Sequence, residues 1–75
     1  MNELQNTLQI IADNIKRKRA ILQINQDELA YRAGMHRAYV GCVERAEKNI
    51  TIGSIQKFAK ALNCSLLELL TPQEK

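Results

Sequence analysis

An all-α fold, five short helices in one compact domain, follows from three features of the sequence. Apolar residues recur at steps of three and four along most of the chain, the mark of a helix with one buried face. No run alternates apolar and polar residues as a half-buried strand does. Between the periodic segments stand residues that start or stop helices: Asn25, Gly34, Thr51, Ser65 and Pro72.

The first segment, about 3–21, carries Leu4, Leu8, Ile11 and Ile15, with Leu22 just beyond. Arg19 falls on the same stripe, four residues after Ile15, and a charge on an apolar face needs a partner. The second segment opens at Asn25, a favoured N-cap, with Glu28 three residues on in an approximate capping box. It covers Gln26–Ala33 and stops at Gly34, the usual left-handed terminator. The third, about 37–46, has Val40 and Val43 on its buried side, and Glu44 shares that side. A basic residue on the first helix and an acidic one on the third therefore both point inward, and Arg19 and Glu44 are expected to pair. Two unrelated charges reaching outward to water are the alternative.

Thr51 opens the fourth segment, with Ile52, Ile55, Phe58, Ala59 and Leu62 at helical spacing and Asn63 as its terminator. Ser65 opens the fifth, with Glu68 at capping-box spacing and Leu66, Leu67, Leu69 and Leu70 before Pro72. The chain reads as a single domain, residues 1–75.

Seventy-five residues bury only about 60% of their unfolded surface, so helix packing and a second copy are expected to contribute to stability. The formal charge of +3 mildly favours a polyanionic partner. The basic run at positions 16–19 splays around its helix, because successive residues point about 100° apart. His36 is the sole histidine, and the two cysteines, Cys42 and Cys64, are far apart, so a four-ligand zinc site is not expected. No cofactor is expected, and no paired carboxylates or nucleophile–base arrangement argues for an enzyme. The N-terminus lacks a basic region followed by an apolar run, and no apolar stretch nears the roughly 20 residues that span a membrane. A cytoplasmic protein with reduced cysteines and no membrane association is expected.

Residues 26–45 read QDELAYRAGMHRAYVGCVER. A two-turn helix with the small Ala30, a glycine turn and a second helix starting near His36 is the helix-turn-helix arrangement. Leu29, Met35, Val40 and Val43 would seal the two helices onto a core. The N-terminal part of the second helix is the part that enters the major groove of DNA.

The chain resembles the Cro and phage-repressor type of helix-turn-helix proteins, the Xre family. The resemblance rests on Ile15 and Arg19, INQDELAYRAG, Tyr39–Val40 with VER at positions 43–45, NITI at 49–52 and FAKALN at 58–63. It covers about 8–70 and is closest to the small controller proteins of restriction–modification systems, with plasmid and phage repressors of the same minimal size as close competitors. It implies a lambda-repressor-like DNA-binding domain, acting as a homodimer on a pseudo-palindromic operator in double-stranded DNA, where it blocks or recruits RNA polymerase.

The resemblance also implies residue roles. Arg37 and Ala38 take the first base-facing positions of the reading helix. Arginine can grip guanine O6 and N7 bidentately, and alanine suits a thymine methyl. Cys42 takes a base-facing position one turn later, where a weak donor suits apolar contact. Gln26, His36, Tyr39, Arg45, Lys48 and Asn49 are placed as backbone contacts, with His36 also as a cap. The bland alternatives are a phosphate contact for Arg37, packing beside Tyr31 for Tyr39, and plain solvation for Gln26 and Lys48. Gly41 is either there to let the helix lie deep in the groove or simply tolerated. With so few long side chains on the reading helix, DNA shape is expected to share the recognition.

The dimer is placed in the region of about 50–71. Leu66 and Leu69 suffice for the core, leaving Leu67, Leu70 and Ile52 for a partner, unless Leu4 and Leu8 cover them. The competing function is an antitoxin or adaptor whose main partner is another protein.

Overall fold

The computed structural model describes residues 2–73. It contains α1 (Glu3–Leu22), α2 (Gln26–Ala33), α3 (Arg37–Glu44), α4 (Ile52–Ala61) and α5 (Leu66–Leu70). No strand occurs among the described residues.

Four of the five helices begin with a side-chain cap. Asn2 accepts from the Gln5 N–H, Asn25 from Glu28, Thr51 from Ser54 and Ser65 from Glu68. Each satisfies one of the N–H groups that a helix leaves unpaired at its start. Ser65 and Glu68 complete a reciprocal capping box, the Glu68 carboxylate accepting from the Ser65 N–H at 2.7 Å. At Asn25 the bond runs one way, because the Glu28 carboxylate turns to Arg32 instead. α3 is the exception: His36 has the extended backbone of an N-cap but makes no side-chain cap bond. The cap expected of its imidazole is thus a matter of backbone position only.

The helix ends share a second device. Gln23, Gly34, Ala46 and Asn63 all take left-handed backbone angles. At each, two successive N–H groups fold back on the last turn, as when Gly34 donates to the Tyr31 carbonyl and Met35 to the Ala30 carbonyl. This is the Schellman arrangement. α3 therefore ends two residues before its expected limit. The chain turns at Ala46, where the residue type gave no stop signal.

The core gathers on Phe58, with Ile11, Ile15, Leu29, Val40 and Leu69 fully buried around it. A smaller cluster of Leu8, Ala12 and Ala46 closes the end of α1 against the turn after α3. Leu4, expected on the buried stripe, is half exposed one turn further out. α1 packs on both α3 and α5, and α4 packs on α2 and α5.

Two polar residues are buried among the described residues, Asn14 and Glu44. Asn14 is 1% exposed, and its amide donates to the carbonyls of Leu69 at 2.8 Å and Thr71 at 3.0 Å. Its oxygen accepts from Arg17. The carbonyls at the end of α5, which lack intrahelical partners, are thus satisfied by a side chain from α1.

Candidate nucleic-acid interface

The inner side of α3 is fixed by Val40, Val43 and Glu44, all buried. Glu44, 4% exposed, meets Arg19 bidentately: Nε donates to Oε2 at 2.8 Å and Nη2 to Oε1 at 2.9 Å. The third guanidinium nitrogen donates to the Ile24 carbonyl at 3.1 Å. Hydrogen bonding to Glu44 raises the Arg19 pKa further above its already high value, against a smaller opposing effect of burial. Gln26 adds a fourth bond, its amide donating to Glu44 Oε1 at 2.9 Å. Arg19 and Glu44 together therefore join α1, the α1–α2 loop, the start of α2 and the inside of α3. Buried ion pairs hold only when their remaining polar atoms are satisfied, and no buried side-chain nitrogen or oxygen lacks a partner among the described residues.

With one side of α3 locked inward, the other is presented outward. Arg37 and Ala38 are exposed at its start, Cys42 is half-buried one turn on, and Arg45 is exposed at its end. These positions share one helical face, since 37, 38, 41, 42 and 45 follow steps of three and four. Gly41 lies on that face but is covered: the Arg45 guanidinium folds back over it, and a Cβ there would meet Arg45 Nη1 at 3.1 Å. Arg45 also reaches the Cys42 Sγ at 3.6 Å, and its Nε pairs with Glu47 at 3.0 Å. At the other end, Arg37 Nε pairs with Asp27 at 3.0 Å, both side chains being well exposed.

Tyr39 is half-buried and stacks on Phe58, ring centroids 6.4 Å apart, so its packing partner is the core rather than Tyr31. Tyr31 is 83% exposed. Gln26 opens α2, but its side chain is engaged with Glu44, which leaves its backbone N–H as the donor facing out from the helix start. His36, Lys48 and Asn49 are exposed in the turns on either side of α3, and Lys48 makes no ion pair among the described residues. No group of three or more potential metal ligands occurs among them, and no helix is long and apolar enough to cross a membrane.

The residues expected at a dimer interface divide. Leu67 is 70% exposed and Ile52 66%. Leu70 is half-buried and packs against the core with Leu66, which corrects its expected place. In a helix, residues four apart share a side, so Leu70 turns inward with Leu66, and Leu67 alone points away. Neither N-terminal leucine covers it in the way considered above. Leu8 is buried with Ala12 and Ala46, and Leu4 is exposed.

Contacts that carried no signal in the sequence include Asn14 on the end of α5, Gln26 on Glu44, Asp27 on Arg37 and Glu47 on Arg45. All join polar residues whose types also suit plain solvation.

A helix-turn-helix family, HTH_3, matches residues 15–69. The control protein C.SmaI of Serratia marcescens is 45% identical over 65 residues, covering 87% of this chain and 77% of that protein. Among solved structures, a hypothetical transcription factor from Neisseria superposes with a TM-score of 0.88 at 35% identity, covering 96% of this chain and 83% of that one. The restriction-modification controller protein C.AhdI from Aeromonas hydrophila superposes with a TM-score of 0.80 at 34% identity, covering 83% of this chain and 94% of that one. The short capped α2, the left-handed turn at Gly34 and the outward face of α3 lie within the matched span, and the chain belongs to the HTH_3 helix-turn-helix family.

Proposed function

We propose that this chain is a sequence-specific DNA-binding transcriptional regulator of the restriction–modification controller type. The supporting observation is the outward face of α3: two arginines at its ends, small side chains between them, and a bidentate ion pair fixing the opposite side. A helix held that rigidly can enter the major groove without reorganising, and its length suits one half-site. The controller proteins among its relatives point the same way.

In this reading Arg37 grips a base edge near the helix start, with Ala38 and Cys42 offering apolar contact beside it. Gln26 through its N–H, His36, Tyr39, Arg45, Lys48 and Asn49 meet the flanking sugar–phosphate backbone. Phosphate binding at the start of α2 uses the positive end of that helix. The whole chain, residues 1–75, is one DNA-binding domain.

Two copies act together. Ile52 and Leu67 are large apolar side chains with no cover of their own, and they seed the subunit contact. The dimer spans two half-sites about one DNA turn apart. Occupancy controls transcription in the cytoplasm by excluding or recruiting RNA polymerase, and the chain itself carries out no catalysis.

Selection of bound duplexes from a randomised pool tests this reading. The expected product is a single pseudo-palindrome whose affinity falls steeply with salt, each neutralised phosphate adding about 0.9 to the log–log slope. Recovery of unenriched sequence contradicts it.

A further inference from the structure

Arg37 stands at the start of α3 with its side chain 64% exposed. Its one ion-pair partner among the described residues is Asp27, on the first turn of α2, with Nε 3.0 Å from Oδ1. An acidic side chain beside a groove-reading arginine is costly if the pair does nothing, because a carboxylate near DNA phosphates is repelled. The geometry offers a use. An arginine whose Nε side faces a carboxylate as an ion pair can still turn both Nη groups outward, and those form the fork that matches two acceptors on a guanine edge. A long side chain that is already oriented also loses less conformational freedom on binding.

We propose that Asp27 is a positioning residue for Arg37 and thereby a determinant of sequence specificity, an inference that rests on α3 being the reading helix. Asp27 touches no base. It holds the guanidinium side-on so that its far edge faces the groove, and it gives up some affinity for arbitrary DNA in exchange for discrimination. Arg45 is held differently. Glu47 takes its Nε, but its Nη groups lie back over Gly41 and Cys42, along the helix rather than beyond its end.

A plain surface ion pair and a positioning pair differ in what they change. Loss of a surface pair alters stability slightly and leaves relative base preference untouched. Loss of a positioning pair lowers base preference while affinity for arbitrary DNA holds or rises, since one negative charge leaves the interface.

The test uses the full chain as wild type, Asp27→Ala, Arg37→Ala and the double variant. Fluorescence anisotropy titrations compare the selected duplex with duplexes altered at the base pair whose preference Arg37→Ala relaxes. Asp27→Ala is expected to lower discrimination at that pair by about three- to tenfold, with affinity for a random duplex unchanged or higher. It is expected to add nothing in the Arg37→Ala background. Asp27→Ser keeps a small polar side chain that suits a helix start and is expected to behave alike, which separates positioning from any unfolding of α2. Full discrimination in both Asp27 variants alongside its loss in Arg37→Ala overturns the proposal and leaves the reading of α3 intact. An Arg37→Ala variant with unchanged preference at every position overturns the reading of α3 itself, and the proposal with it.

Discussion

Arg19 and Glu44 face each other across 25 positions of sequence and meet through two hydrogen bonds of 2.8 and 2.9 Å, with Gln26 closing on the same carboxylate. The carboxylate is buried while the guanidinium keeps an edge in solvent, 4% and 23% exposed respectively. The pair sets the angle at which α3 leaves the body of the protein, and so which residues of α3 can reach DNA.

Glu44→Ala removes the acceptor of three donors and leaves Arg19 half-buried without its counter-charge. The expected loss is about 2–4 kcal/mol, below the full cost for a wholly buried pair because solvent reaches the guanidinium. That is a large share of the roughly 4–11 kcal/mol available to a chain of this length. Urea denaturation checks it. A midpoint within error of the wild type removes the pair from the frame of the fold.

Gln23→Gly is expected to raise stability by about 0.5–1 kcal/mol. Gln23 ends α1 at φ 58°, exposed, in a region where side chains other than glycine are strained. The gain is less than the full strain because glycine also loosens the unfolded chain. Thermal melts of the two proteins give the answer.

Gly41→Ala is expected to separate stability from binding. Alanine gains about 0.5–1 kcal/mol of helix preference, and the atom its Cβ meets is the far end of the flexible Arg45 side chain, at 3.1 Å. The Arg45 guanidinium must give way by a few tenths of an ångström, which loosens its place on the face. The melting temperature is expected to rise while affinity for the selected duplex falls. Equal affinity assigns Gly41 no part in binding.

Leu67→Glu is expected to give a folded monomer. Leu67 is 70% exposed within the single chain, so the subunit's own fold is expected to change by less than about 0.5 kcal/mol. Sedimentation velocity reads the outcome. A dimer of unchanged strength places the interface elsewhere.

The Glu68 carboxyl is held below the usual carboxylate range, chiefly by the Ser65 N–H that it accepts and further by Lys18 nearby. A folded-state pKa lowered in this way contributes stability above the unfolded range of glutamate, and the contribution fades as pH falls through the folded value. The wild type is therefore expected to exceed Glu68→Gln in melting temperature near neutral pH. The gap should close in acid. A constant gap from pH 7 to pH 3 contradicts this reading of the capping box.

Much of this architecture was legible in the chain because local chemistry and global packing agree. Asn25, Thr51 and Ser65 cap the helices they precede, Gly34 turns the motif, and an arginine and a glutamate on inward faces find each other. The misreadings have physical causes. Ala46 turns α3 early because Leu8 and Ala12 bury it and Gln5 donates to its carbonyl, all of them distant in sequence. Leu70 turns inward because a five-residue helix has one narrow inner side, which a run of leucines does not mark. Asn14 has the type of a solvated residue, and only the position of the α5 end makes it an anchor. At the candidate interface, the helix and its inner side followed from spacing, and its outward positions from the family resemblance. The carboxylates that hold its two arginines did not, because acidic residues in a first turn or a loop are ordinary on any surface.

The central claim is that the outward face of α3 reads DNA sequence, with Arg37 at its leading end. Parallel selection of bound duplexes by wild type and by Arg37→Ala, sequenced side by side, tests it most directly. The expected result is a pseudo-palindromic site for the wild type and loss of preference at one symmetric pair of positions in the variant, the rest of the site retained. Identical binding sites for the two proteins would contradict it.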